Sequence, residues 1–316
     1  MTSGRKARAI FNPASGRGRG ARRMGRFREL LEEVLPGVEI AVSQHPGHEY
    51  TLADQALEEG VELLIAAGGD GTWSHVADRI VHSGRRDVVM GLLPSGTGND
   101  FGRNIGLAYR EQEDAVRRLA SERVLEVDVG LVRTPSRPAE QGKTEASEER
   151  PRHFLNVVGV GFDVAVVDAA AGARFLKGEP LYKITALQQL FRFGGLPISV
   201  GIDEAAGDPE RHLMVTITNG EYFGGGFPIA PGAGVEDGQL HGCVIQDASP
   251  LRRMSLFNLA GKGRHANESE VRLVRAPRFN LRFASPPRFE VDGDLFTASG
   301  LELELEVLSG ALRILA

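Results

Sequence analysis

Hydrophobic positions in the first third of the chain follow two alternating rhythms. Apolar runs at residues 6–11, 38–42, 63–67 and 88–93 have strand length, and the stretches between them carry apolar residues at helical spacing. Met24, Phe27, Leu31 and Val34 mark one helix, stopped by Pro36-Gly37. Leu52, Ala56 and Leu57 mark a second, and Val76, Ile80 and Val81 a third that ends near Gly84. A further helix is expected around 113–120. Strands alternating with helices predict an α/β domain over residues 1–124, a parallel sheet with helices on both faces. From residue 125 the rhythm changes. Segments 125–133, 154–160, 198–202, 213–218, 240–246, 271–274, 279–283 and 288–291 are short, β-rich and bounded by turn residues. They predict an antiparallel sandwich or barrel over 125–303, interrupted by helical patterns at 181–193 and 250–262. Residues 134–152 are polar and almost free of apolar side chains, as in a mobile hairpin loop. The last stretch, 301–316, is long enough for two strands.

Chemistry concentrates where predicted strands end. The third strand breaks into Gly68-Gly69-Asp70-Gly71-Thr72 at the start of a helix. Glycines there let backbone N–H groups approach a ligand, and the helix N-terminus adds partial positive charge, so an anion such as a phosphate chain fits. Asp70 would repel phosphates unless a metal ion lay between them, which makes this a metal–phosphate turn. The first strand ends in Asn12-Pro13-Ala14-Ser15-Gly16, the second near Ser43, and the fourth in Gly96-Thr97-Gly98-Asn99-Asp100. Ligands of parallel α/β sheets sit beyond the carboxyl ends of the strands, and four such loops in succession obey that rule.

Composition narrows the class. The 316 residues are 41% hydrophobic and 25% charged, the profile of a globular protein with a full core. One cysteine, Cys243, rules out an internal disulfide and a cysteine-built zinc site, and fits a reducing compartment. No run approaches the roughly 20 apolar residues of a membrane span, and the first residues lack the apolar core of a signal peptide. A cytoplasmic protein is expected, at most peripheral to a membrane. The net charge of −5 argues against bulk nucleic-acid binding. Nine Arg or Lys nevertheless fall between Arg5 and Arg28 without one acid, a segment that either solvates a surface or attracts phosphates and anionic headgroups.

With these loops the chain resembles the diacylglycerol kinase catalytic-domain family, in particular the bacterial lipid kinases related to sphingosine and ceramide kinases. The anchors are Asn12-Pro13-Ala14-Ser15-Gly16, Gly68-Gly69-Asp70-Gly71-Thr72 and Gly96-Thr97-Gly98-Asn99-Asp100-Phe101-Gly102-Arg103. Further matches are Gly159-Val160-Gly161-Phe162-Asp163, Gly224-Gly225-Gly226, Glu236-Asp237-Gly238-Gln239-Leu240 and Val291-Asp292-Gly293-Asp294. The resemblance implies a nucleotide-binding α/β domain followed by a β-sandwich lipid-substrate domain, with residues 304–316 returning to the first. It implies ATP contacts from Asn12, Pro13, Ala14, Ser15, Gly16, Ser43, Gly68, Gly69, Asp70, Gly71, Thr72, Trp73, Ser74, Gly96, Thr97, Asn99 and Asp100. A structural magnesium ion would be held by Asp237 with backbone groups near Gly234 and Gln239. Asp292 and Asp294, with Asp70, would be the catalytic carboxylates. The family usually carries Glu at the position of Asp294 and threonine at that of Ser43.

The expected activity is ATP- and Mg2+-dependent phosphorylation of a lipid hydroxyl, with diacylglycerol as default acceptor and a sphingoid base, ceramide or another glycerolipid next. Such chemistry needs alignment, charge cancellation and a base. A membrane-surface lipid is the expected partner, and a homodimer is compatible with the sequence. The rivals are an NAD kinase, which shares the GGDGT turn, and a nucleotide-sensing module without turnover. Trp73 is open to nucleotide stacking or to packing. His45 and His48 read as surface histidines of the nucleotide-side loop, and His75, His241 and His265 lack zinc spacing. Asp163 follows a strand and matches the family, and helix capping explains it equally well. Segment 251–264, with Arg252, Arg253, Lys262 and Arg264 among apolar residues, either touches a lipid surface or covers the sandwich.

Overall fold

In a computed structural model of the chain, residues 5–107, 112–121, 123–135, 150–171, 188–203, 205 and 207–315 are described. The first part runs β1 (Ala7–Phe11), α1 (Ser15–Val34), β2 (Glu39–Val42), α2 (His48–Glu58), β3 (Leu63–Gly68), α3 (Asp70–Ser83), β4 (Val89–Pro94), α4 (Asp100–Asn104) and α5 (Gln112–Leu119). β1 pairs in parallel with β2 and β3, and β3 with β4. All six residues of β3 and of β4 are buried, as continuous apolar runs flanked by helices require. The predicted helix ends hold as well. Leu35 caps α1 ahead of Pro36, and Gly84 closes α3 in the left-handed conformation.

The second part is mostly antiparallel: β5 (Val124–Arg133), β6 (Arg152–Phe154), β7 (Val157–Gly161), α6 (Phe162–Ala171), β8 (Leu196–Ile202), β9 (Pro209–Thr218), the short pair β10 (Tyr222–Phe223) and β11 (Phe227–Pro228), β12 (Leu240–Gln246), α7 (Pro250–Ala260), β13 (Val271–Ala276), β14 (Arg278–Phe283), β15 (Arg288–Val291), β16 (Asp294–Thr297) and β17 (Glu302–Leu315). These strands form the β-sandwich domain. The expected strand 154–160 is two strands, because the N–H groups of Leu155 and Asn156 leave the ladder to bond Asp292. The expected pair of strands at 301–316 is one strand, β17, bulged between Leu308 and Leu312. Its first half pairs with β14, and its last residues bring Ile314 beside Met90 of β4, so a single strand joins the two halves.

Two cores follow from this arrangement. One lies on the parallel sheet and takes in Leu312, Ile314 and Leu315, and the other fills the antiparallel strands. A smaller apolar cluster packs α6 and α7 onto β9 and β12. The hairpin expected between the first two strands of the second part exists as β5 and β6, which pair antiparallel, but residues 136–149 lie outside the described residues. So does most of the helix expected over 181–193. Among the described residues no helix is long and apolar enough to cross a membrane.

Candidate active site

The loops at the carboxyl ends of β1, β3 and β4 meet through direct contacts. Asn12 donates its amide to the Thr72 hydroxyl at 3.0 Å, and the hydroxyls of Ser15 and Ser95 lie 2.6 Å apart. Gly16, at φ 56°, approaches the Ser95 carbonyl so closely that a Cβ would sit 2.1 Å from it. The turns carrying Gly69 and Gly96 touch backbone to backbone, where a Cβ on Gly69 would lie 2.9 Å from the Gly96 Cα. Arg19 and Arg23 of the basic segment donate to the carbonyls of Gly96 (3.0 Å) and Pro94 (2.7 Å). Part of that basic run therefore ties down the second glycine turn.

A cleft of about 600 Å³ opens beside these loops. It gathers Asn12, Pro13, Ala14, Ser43, Gly71, Thr72 and Asp294 from the sequence candidates, and adds Glu49, Tyr50, His75, Arg152 and Phe296. The added residues were missed because they lie on α2, α3, β6 and β16 outside any glycine-rich loop. Asp294 is half exposed and bonds the His75 Nε2 at 2.6 Å, while Glu49 stands 3.6 Å from the other ring nitrogen. Tyr50 stacks on His75 with ring centroids 4.2 Å apart. The Arg152 guanidinium lies 4.1 Å over the Phe296 ring. His45 lines the same cleft and stacks on His48.

Asp70 and Asp100 form an acidic pair at the glycine turns. Both lie within 3.5 Å of the point a Gly98 Cβ would occupy. Asp70 accepts the Phe101 N–H at 3.1 Å, and Asp100 accepts the Gly225 N–H at 2.7 Å, while one Asp100 oxygen has no hydrogen-bond partner. Burial, and then the charge of Asp100, push Asp70 up to about 7. Arg103 stands 3.6 Å from Asp100, and two close carboxylates beside that single arginine still suit a divalent ion that nucleotide phosphates help to ligate. Among the described residues no group of three or more His, Cys, Asp or Glu is arranged for a metal.

Several expected contacts are corrected. Asp292 does not face the cleft: it is buried, and its carboxylate accepts the N–H groups of Leu155 (2.7 Å), Asn156 (3.0 Å) and Val157 (2.8 Å). It anchors the break between β6 and β7 and has no oxygen left for a substrate proton. Trp73 is fully buried in the core with its indole N–H on the Ala66 carbonyl, so it stacks on no nucleotide. Ser74 is buried and acts on Asp292. Asn99 is buried and folds back on Gly96, and Gly68 serves as a spacer, since a Cβ there would collide with Thr72. The Asp237 carboxylate accepts the Gln239 N–H on one oxygen and bonds His241 with the other, and it remains part-exposed beside Gly234. Asp163 lies inside the first turn of α6 rather than ahead of it, with the N–H groups of that turn beside its carboxylate.

The second half contributes an apolar pocket. Phe162, Val166, Leu213, Phe227, Leu256 and Phe257 line it, with the Asp163 carboxylate at its wall. Burial raises both Asp163 and neighbouring Glu290 well above the ordinary carboxylate range. Gly224 also lines the pocket, and the next residue is the one that bonds Asp100. Asn104 of α4 reinforces that joint by accepting the N–H groups of Glu221 and Tyr222.

Comparison with known proteins fits both halves. Residues 6–132 match the diacylglycerol kinase catalytic domain, and residues 156–316 match the YegS C-terminal NAD kinase beta sandwich-like domain. This chain belongs to the diacylglycerol kinase catalytic-domain family. It is a lipid kinase by that membership. Its similarity to the diacylglycerol kinase of Mycobacterium tuberculosis is 27% identity over 311 residues, covering 98% of this chain and 94% of that one. To the diacylglycerol kinase of Bacillus subtilis it is 25% identical over 299 residues, covering 92% and 90%. A crystal structure titled as a diacylglycerol kinase from Bacillus anthracis superposes with a TM-score of 0.71 at 21% identity, covering 100% of this chain and 98% of that one. Yeast NADH kinase follows at 0.55 and 12%, covering 99% and 83%, a likeness of fold.

Proposed function

We propose that this lipid kinase uses ATP with Mg2+ and transfers the γ-phosphoryl group to the hydroxyl of a diacylglycerol-like lipid. The observation that carries the reading is the joint at the Gly224–Gly226 loop. There an apolar pocket suited to an acyl chain and an acidic pair suited to a metal–phosphate group share one stretch of backbone. The nucleotide occupies the cleft over Asn12 and Thr72, its phosphates reaching the N-terminal end of α3. Asp70 and Asp100 hold the magnesium ion, which cancels charge on the transferring phosphoryl group. Asp294, the half-exposed carboxylate of the cleft, takes the proton of the acceptor hydroxyl. α7 covers the apolar pocket with Leu256 and leaves Leu251, Met254 and Phe257 exposed, an apolar face for the membrane that supplies the lipid. Arg252 and Arg253 turn inward to Glu268, Glu270 and Asp247, so the apolar residues rather than these arginines meet the lipid surface.

Incubation with labelled ATP, Mg2+ and a panel of diacylglycerol, sphingoid base, ceramide and NAD tests the reading. Labelled phosphatidic acid is expected. Label in NADP alone would replace it with the NAD kinase assignment, and label in none of the products would remove the catalytic reading.

A further inference from the structure

Three ionisable side chains from three elements stand in line across the wall of the nucleotide cleft. Glu49 of α2 is buried, His75 of α3 lies between, and Asp294 of β16 reaches the open side. The His75 Nε2 is 2.6 Å from Asp294, and its Nδ1 points to Glu49 at 3.6 Å with no hydrogen-bond partner. Tyr50 stacks on one face of the ring at 4.2 Å and fixes its plane. A carboxylate buried as deeply as Glu49 needs a compensating cation, and the imidazole is the group placed to supply it.

We propose that His75 is a positioning residue which holds Asp294 at the cleft and, as a cation braced by Glu49, cancels the negative charge that Asp294 would present to nucleotide phosphates. The role rests on the assignment of this cleft to the nucleotide. A base must face the reacting groups, yet a bare carboxylate on the wall of a polyphosphate site repels the ligand it serves. The line of acid, imidazolium and acid reconciles the two demands. Asp294 stays available to a proton while its field is neutralised by the ring behind it.

The surroundings favour the charged ring. Burial alone would depress its pKa, but the bond to Asp294 and then the nearby Glu49 carboxylate outweigh that and lift it to about 9. Glu49 is correspondingly held below its ordinary value: burial opposes this, and the contact with His75 outweighs it. The other charged groups nearby are committed elsewhere. Asp78 on α3 bonds His153 and pairs with Arg79, Arg152 lies over Phe296, and Asp292 is consumed by backbone donors.

The test combines ATP binding without acceptor and NMR titration of the histidine rings in the full-length chain. His75→Gln keeps a side-chain donor and loses the charge, so the Kd for ATP is expected to rise about tenfold in the native background. In an Asp294→Asn background, where no charge needs cancelling, the same substitution should cost less than about twofold. An equal cost in both backgrounds would mean that His75 meets the nucleotide by itself, which overturns the proposal. Native His75, assigned by its loss in His75→Gln, should titrate at least about one unit above the ordinary 6.5. Glu49→Gln or Asp294→Asn should each lower that value; in Glu49→Gln the alkaline rise in Kd for ATP should move down with it, and in Asp294→Asn that rise should be nearly absent. Asp294→Asn serves if Glu49→Gln does not fold. A ring titrating at the ordinary value in the native protein also overturns the proposal. If ATP does not bind at all, the nucleotide assignment fails and the charge-cancelling role fails with it. The titration alone then reports whether the three side chains act as a unit.

Discussion

At the scale of single residues, environment separates aspartates that look equivalent in sequence. Asp292 and Asp294 flank one glycine, yet the first is sealed under three backbone donors and the second stands half exposed beside His75. Asp294→Asn should lower kcat roughly 10²- to 10⁴-fold, the range of a lost general base, with the fold unchanged by circular dichroism. Asp292→Asn should act on stability: an amide cannot accept three N–H bonds as a carboxylate does, and a loss of roughly 2–3 kcal/mol in denaturant unfolding is expected. Asp163 yields a pH dependence. Its folded-state pKa is raised by burial above the unfolded value near 4. Its contribution to stability is therefore fully present below that unfolded value and lost as pH rises through the folded one. The native protein should lose stability between about pH 4 and about pH 7, and Asp163→Asn should flatten that loss and be the more stable form at about pH 8. Parallel pH–stability curves for the two proteins would remove this account.

At the scale of elements, the site depends on loops that touch one another backbone to backbone. Residues 16, 17 and 18 take positive φ in succession at the start of α1, and the first of them lies against Ser95 at the end of β4. A methyl group at Gly16 meets both the left-handed backbone and the Ser95 carbonyl. Gly16→Ala should therefore cost roughly 1–3 kcal/mol of stability and weaken ATP binding several-fold, because the β1 and β4 loops must part to admit it. Calorimetry on the two proteins checks both effects. α4 is short but acts in the same way, since Asp100 and Asn104 reach across to the loop 221–226 of the other half. The GTGNDFGRN stretch thus serves as a joint between the halves.

At the scale of the whole molecule, β17 makes the two halves one continuous sheet, and the apolar pocket of the second half opens beside the acidic pair of the first. α7 covers that pocket with Leu256 and turns Leu251, 76% exposed, and Met254 outward. Leu251→Glu should leave unfolding within about 0.5 kcal/mol of native, as for an exposed site. It should raise the apparent KM for diacylglycerol in vesicles several-fold, with little effect on a short-chain acceptor dispersed in detergent. An equal effect on both acceptors would place Leu251 in the acceptor pocket rather than at a membrane.

What the amino-acid sequence determined by itself was local. The switch from helical spacing to short β-rich runs near residue 125, the glycine turns at strand ends and the caps of α1 and α3 all rest on interactions within a few residues, which the chain order records directly. Only the tertiary structure decided which of those residues face a ligand. Trp73 and Ser74 fell inside the protein because the first turn of α3 is enclosed by the core, and Asp292 because the turn between β15 and β16 is drawn onto the N–H groups that follow β6. Glu49, His75 and Asp294 came together from three elements more than two hundred residues apart at the extremes. No spacing in the chain encodes that meeting, since it follows from where β16 is laid against α3 once both cores have packed.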